Sequence, residues 1–221
     1  MVKVLVVCSA NISRSQSLAH YLNVLGKEQG LPMVVQSAGV SRAEIEEIYH
    51  DQEKYGLELT PSRWVREAME KPGLATRTPV HLTPARVVTK KMMQWADIVL
   101  AVEPKILRKL QTQFPRVASK VRLVTHYSKG RIKNPVARKS ALRSDEGLKD
   151  AHWPPNKPNP PEYEPGVVRG SEEAKRRLFQ KSKGLAESIV LRWKKNLPFS
   201  TPRQRRSAKR LARHLQRKQK R

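Results

Sequence analysis

Apolar positions in the first 127 residues alternate between two rhythms. Val2 to Val7 is a short β-branched run and reads as a buried strand. From Arg14 the spacing becomes helical, with Leu18, Tyr21, Leu22 and Leu25 at i, i+3, i+4 and i+7. Met33 to Ser37 gives a second strand, and Ala43 to Lys54 a charged helix. A short helix follows from Ser62 to Met69, with Thr60 or Ser62 as N-cap and Pro72-Gly73 closing it. Thr83 or Thr89 starts the next helix, which leads to a strand from Ile98 to Val102. Pro104 suits the first turn of a helix over Lys105 to Gln113, and Pro115 limits its far end. Strands alternating with helices predict a parallel sheet covered on both faces.

The pattern changes after residue 127. Seven of the sixteen prolines fall between Pro135 and Pro165, among few aliphatic residues, so 128–165 reads as an extended loop insertion. Helical spacing resumes at Ser171, an N-cap before Glu172 and Glu173, and runs through Leu178, Leu185, Ile189 and Trp193 to about Lys195. Pro198 and Pro202 separate this helix from the remainder. The predicted organisation is one α/β domain over 1–195 and a basic, flexible extension over 196–221. There is no internal repeat.

Charge modifies this picture. The 221 residues carry a net +26, and residues 203–221 hold ten Lys or Arg with no Asp or Glu. The rest still keeps +16, so the basicity is not confined to the tail. Fields of that size draw anions in, which makes phosphorylated or acidic proteins, nucleic acid and anionic surfaces candidate partners. Leu211 and Leu215 are a thin apolar face for any membrane-bound helix in the tail. The single cysteine rules out an intrachain disulfide framework and fits a reducing, cytoplasmic setting. No run approaches a transmembrane length, and Val2 to Val7 is too short for a signal-peptide core.

That cysteine, Cys8, ends the first strand, and Arg14 and Ser15 open the helix after it. The loop between them faces a helix N-terminus, whose free N–H groups and dipole favour an anion. A thiol there has its ionised form favoured by the dipole and by Arg14. A cysteine at a strand end is more often a small buried hydrophobe; the arginine and hydroxyl in a strand–loop–helix setting shift the balance toward a nucleophile. The amides of Ser9, Ala10, Asn11, Ile12, Ser13 and Arg14 form a nest for the nonbridging oxygens of a phosphate, and Arg14 clamps two of them. Ser15 can hydrogen-bond the sulfur. His, Cys and carboxylate residues show no metal-ligand spacing, and the chemistry needs no cofactor.

Cys8, Asn11, Ile12, Arg14 and Ser15 resemble the signature loop of the low-molecular-weight protein tyrosine phosphatases. Ser37-Ala38-Gly39 resembles the ending of that family's second strand, His81 with Ala85-Arg86 a helix-start segment supporting the loop. Ala96 to Leu100 and Val121 to Val124 resemble its third and fourth strands. The resemblance implies a three-layer α/β/α fold on a four-stranded parallel sheet. It also implies metal-independent hydrolysis of phosphotyrosine in proteins through a phosphocysteine on Cys8, with Asn11, Ser37 and His81 bracing the loop. Two departures stand out. Ala10 replaces a glycine, at a cost of about 1 kcal/mol if the position needs φ > 0. The Asp-Pro of the family's general acid is missing; Glu164, before Pro165-Gly166, is the first candidate to replace it and Asp150 the second. Tyr163, Trp153 and Tyr49 are candidate stacking partners for a substrate ring, whereas Trp64 and Trp95 read as packing residues.

Three other readings compete. A thioredoxin-coupled arsenate reductase shares the loop but needs further cysteines, which this chain lacks. A sugar phosphotransferase IIB subunit uses a strand-end cysteine, yet without an arginine at this spacing. The third is a catalytically weak phosphate-binding module that docks nucleic acid or another polyanion through residues 203–221.

Overall fold

In the computed structural model, residues 1–46, 50, 63–128 and 172–195 are described. They contain four parallel strands, β1 (Val2–Cys8), β2 (Met33–Gly39), β3 (Ile98–Ala101) and β4 (Val121–Leu123), in the spatial order β2-β1-β3-β4. Six helices accompany them: α1 (Arg14–Glu28), α2 (Arg63–Glu70), α3 (Lys90–Trp95), α4 (Pro104–Gln113), α5 (Val124–Ser128) and α6 (Glu172–Lys195). Residues 42–46 are also helical.

The two central strands are apolar on both faces, as a sheet covered on both sides requires. Val4, Val6 and Cys8 pack under Leu18 and Leu22 of α1, Val65 and Met69 of α2, and Phe179, Ile189 and Trp193 of α6. Leu5 and Val7 point the other way, toward Met93 of α3 and Ile106 and Leu110 of α4. The result is the expected three-layer α/β/α fold. The outer edge of β2 is tied down by Asn23, whose Nδ2 donates to Val35 O and whose Oδ1 accepts from Val35 N, both at 2.9 Å.

Most element boundaries match the sequence pattern. Thr89, not Thr83, caps α3, its Oγ1 accepting from Met92 N at 3.2 Å. The segment from His81 to Arg86 is not a helix start; it is irregular chain crossing the end of β2, where Gly39 bridges Val87. The fourth strand is one residue shorter than expected, because Val124 already begins α5. The N-caps proposed at Thr60, Ser62 and Ser171, most of the loop insertion and the basic extension lie outside the described residues. Among the described residues, no helix is long and apolar enough to cross a membrane.

The strand order fixes where a site belongs. The chain moves from β1 outward to β2, then returns across the sheet to β3, so the connections leaving β1 and β3 diverge at their carboxyl ends. Ligands of open α/β sheets bind in the crevice at such a switch point. Cys8 ends β1 there, and Glu103 follows β3.

Candidate active site

Cys8 is buried, 2% exposed, at the end of the central strand. Its sulfur has two hydrogen-bond partners: Asn11 N donates to Sγ at 3.2 Å, and Ser15 Oγ lies 3.0 Å away. Asn11 Nδ2 donates to the same hydroxyl at 2.9 Å. Between Sγ and Ser15 Oγ either atom can donate; a thiolate has no proton to give, so toward an ionised sulfur the hydroxyl is the donor. Asn11 N–H and the Ser15 hydroxyl thus converge on Sγ, and both can donate to it when it carries the charge of an attacking or departing sulfur.

The loop from Ser9 to Ser13 curves over the end of β1 and feeds α1. Its left-handed residue is Asn11, at φ 57; Ala10 is not in that region, so the glycine-to-alanine departure brings no strain of that kind. Asparagine tolerates this conformation better than most side chains. Ser13 occupies the N-cap position of α1 without a side-chain cap bond, which leaves the first-turn amides uncommitted to a cap. Ser17 Oγ lies 3.2 Å from both Arg14 O and Ser182 Oγ, tying the first turn of α1 to α6.

Arg14 is almost wholly buried, and its Nη1 pairs with Glu103 Oε1 at 3.2 Å, the two side chains being 5% and 22% exposed. The carboxylate thus fixes the guanidinium at the mouth of the crevice, between the ends of β1 and β3. Glu103 is a partner of Arg14 that reading the sequence missed. The available signal was physical: an arginine buried beside a cysteine needs a counter-charge, and the switch point puts the residue after β3 within reach.

Two walls hold the loop. On one side Gly39 abuts it closely: Val40 N donates to Cys8 O at 3.0 Å, Ser41 N to Ser9 O at 3.1 Å, and Ser9 Oγ to Glu44 Oε1 at 2.7 Å. On the other, Gln16 Nε2 donates to Asn11 O at 3.2 Å and to Thr83 O at 2.7 Å, while Thr83 N donates back to Gln16 Oε1 at 3.3 Å. Arg86 N donates to Asn11 Oδ1 at 3.2 Å, and Arg86 Nε to Ser37 O at 2.9 Å. Bracing of Asn11 therefore falls to Gln16, Thr83 and Arg86. The side chains expected to share it, Ser37 and His81, line a cavity between α1, β2 and residues 78–86; among the described residues neither hydrogen-bonds the loop. Asn11 does support it, through Ser15.

Cys8, Ser9, Ala10, Asn11, Ile12, Ser13, Arg14 and Ser15 are thus brought together in one cradle around a sulfur. The two carboxylates proposed as general acid, Glu164 and Asp150, lie outside the described residues, as do Tyr49, Trp153 and Tyr163 and the side chain of Trp64. Trp95 is half-buried against the α3–α4 side of the core, a packing role as expected.

A family model described as low molecular weight phosphotyrosine protein phosphatase matches residues 3–139. Among solved structures, the chain is similar to a low molecular weight phosphotyrosine phosphatase from Vibrio cholerae O395, at 18% identity over 90% of this chain and 100% of that one, with a TM-score of 0.61. A YwlE mutant from Bacillus subtilis is 19% identical over 88% of this chain and 99% of that one, TM-score 0.57. A YwlE arginine phosphatase from Geobacillus stearothermophilus is 17% identical over 91% and 99%, TM-score 0.58. A comparison with curated proteins finds no match. At such identities the structural likenesses establish the fold; the family model carries more.

Proposed function

Since the chain belongs to the low molecular weight phosphotyrosine protein phosphatase family and is a cysteine-dependent phosphatase, we propose that it dephosphorylates phosphotyrosine in proteins, with Cys8 as nucleophile. The observation that carries this reading is the pair of hydrogen-bond partners, Asn11 N–H and the Ser15 hydroxyl, gathered on one sulfur. Such partners lower the energy of the thiolate that attacks and, later, of the thiolate that leaves.

The phosphoryl group sits in the amide cradle of residues 9–14, with the Arg14 guanidinium across two nonbridging oxygens. The sulfur attacks phosphorus, an S–P bond forms, and the P–O bond to the tyrosine oxygen breaks. Glu164, or Asp150 in its place, gives that oxygen its proton. Water, losing a proton to that same carboxylate, then attacks the phosphorus of the phosphocysteine; a P–O bond forms, the S–P bond breaks, and inorganic phosphate leaves as Ser15 and Asn11 hydrogen-bond the sulfur's charge.

Three neighbours bear names that include YwlE, two of them arginine phosphatases, so phosphoarginine is the competing substrate. Its leaving group is a guanidine, which calls for a carboxylate at the entrance. Among the described residues, Glu103 and Glu44 beside the cradle are engaged with Arg14 and Ser9, and Glu164 or Asp150 would serve either leaving group. Ile12, half-buried in the loop, offers an aromatic ring an apolar contact instead. The test is turnover of matched peptides carrying phosphotyrosine or phosphoarginine, with Cys8→Ser as control. Phosphotyrosine should be preferred, and Cys8→Ser should abolish turnover while retaining phosphate binding. Preference for phosphoarginine, or undiminished turnover by the serine variant, defeats the assignment.

A further inference from the structure

The cavity that received Ser37 and His81 is a separate feature from the cradle. It measures about 470 Å³, within the range of small-molecule pockets. Ala19, Val24, Val35 and Pro79 supply its apolar wall. Among the described residues its charged and titratable lining consists of Arg86, His81 and His20, with no Asp or Glu.

His20 and Arg86 each have defined partners. His20 is 7% exposed and is held neutral, its pKa lowered to about 4 by burial and by His81 nearby. Its Nε2 lies 3.1 Å from Thr76 Oγ1, a hydroxyl that donates to Thr78 O at 2.8 Å. The hydroxyl therefore accepts from His20 Nε2–H. His81 is exposed at the mouth. Arg86 spends Nε on Ser37 O and Nη2 on Gln36 Oε1, and its remaining terminal nitrogen makes no hydrogen bond among the described residues. A half-buried guanidinium keeps its charge, and among the described residues no carboxylate lines the cavity to serve it as counter-ion.

We infer that this cavity is a second binding site, for a small organic anion with an apolar body, whose carboxylate pairs with Arg86 and whose body lies against Val24, Val35 and Pro79. The site is wired to the catalytic loop. Arg86 and Gln16 both line it, and both hold Asn11, through Arg86 N to Oδ1 and Gln16 Nε2 to the backbone oxygen. An occupant that fixes these two residues also fixes the amide that touches the Cys8 sulfur. Inorganic phosphate, by contrast, belongs in the cradle, which leaves the cavity selective for molecules with a hydrophobic part.

Benzoate is the probe: a carboxylate on a ring that the cavity can contain. Calorimetric titration of the full chain at neutral pH, with saturating vanadate filling the cradle, should give one benzoate site in the millimolar range. Thr78→Trp puts an indole across the mouth while keeping the Thr78 carbonyl, and Arg86→Gln removes the charge; each should weaken binding at least tenfold. Circular dichroism identifies a variant that fails to fold, and Thr78→Trp, at an exposed position, keeps the test decisive if Arg86→Gln does. Displacement of benzoate by vanadate, or undiminished binding to folded Thr78→Trp, overturns the inference. Turnover of para-nitrophenyl phosphate is measured separately, so a catalytically inert protein would contradict the proposed function without touching the cavity.

Discussion

Replacing Gly39 with alanine should cripple the catalytic loop although Gly39 is far outside it in sequence. Gly39 is not in the left-handed region, so its backbone angles would suit alanine. What alanine lacks is space. A Cβ there would lie 2.4 Å from Ser9 O, 2.9 Å from Ile45 Cδ1 and 3.0 Å from Ala10 C. Ordinary contact begins near 3.4 Å, so the Ser9 carbonyl must retreat by about 1 Å. The Ile45 methyl can swing aside; the Ser9 and Ala10 backbone cannot move without carrying the loop.

Two magnitudes follow. Overpacking of this kind costs about 1–3 kcal/mol, read as a loss in urea-unfolding free energy. A displacement of roughly 1 Å at a catalytic constellation costs about 100-fold in turnover. Para-nitrophenyl phosphate is the suitable substrate, because its good leaving group needs little acid assistance and isolates the nucleophile and cradle. The double variant Gly39→Ala with Ile45→Ala removes the side-chain clash and keeps the backbone one, so it should remain impaired. Wild-type turnover in Gly39→Ala, or full recovery in the double variant, would refute the claim that Gly39 sets the loop position.

Glu103→Gln should lower kcat by about tenfold, since the neutral amide holds Arg14 with a weaker hydrogen bond, worth ~1–2 kcal/mol less; an unchanged kcat would remove Glu103 from the site. Ser15→Ala leaves the departing sulfur with Asn11 N–H alone, and losing a hydrogen bond to a charged group, about 1.5–3 kcal/mol, should slow phosphocysteine hydrolysis by roughly 10- to 100-fold. Rapid quench would then show a burst of nitrophenol, and its absence with unchanged steady-state turnover counts against that role. His20 contributes acid sensitivity: its folded pKa of about 4 lies below the ordinary 6.5, so its stability contribution is full above pH 6.5 and is lost as pH falls toward 4, by up to about 3 kcal/mol. Urea unfolding between pH 7 and 4 should show that loss shrink in His20→Gln, and an unaltered pH slope would contradict it. Deleting residues 203–221 should weaken polyanion binding and flatten its salt dependence while sparing small-substrate turnover; an unaltered salt slope would exonerate the tail.

How much of this was legible in the chain depends on the range of the interaction that decides each feature. Val2 to Val7, the Leu18–Leu25 stripe and the Leu178–Trp193 stripe are read correctly because one strand or helix carries the whole signal. Cys8, Arg14 and Ser15 are legible for the same reason: strand, turn and helix N-terminus are consecutive, so sequence spacing is spatial spacing. The bracing is not. Gln16 meets Thr83 across 67 positions, Asn11 meets Arg86 across 75, and Arg14 meets Glu103 across 89; these pairs exist because the sheet order folds three chain segments onto one strand end. Sequence reading assigned the bracing to Ser37 and His81, which sit within the same crossing, but picked the wrong side chains because a loop's hydrogen bonds have no periodicity. The condition set on Ala10 is not met: the left-handed residue is its neighbour Asn11, where a side-chain amide already bound to Ser15 and to the Arg86 backbone makes the turn part of the same network. That placement has a mechanistic consequence. An asparagine at the turn couples its conformation to the hydroxyl beside the sulfur, so whatever shifts residues 83–86 also shifts the donors that stabilise the thiolate.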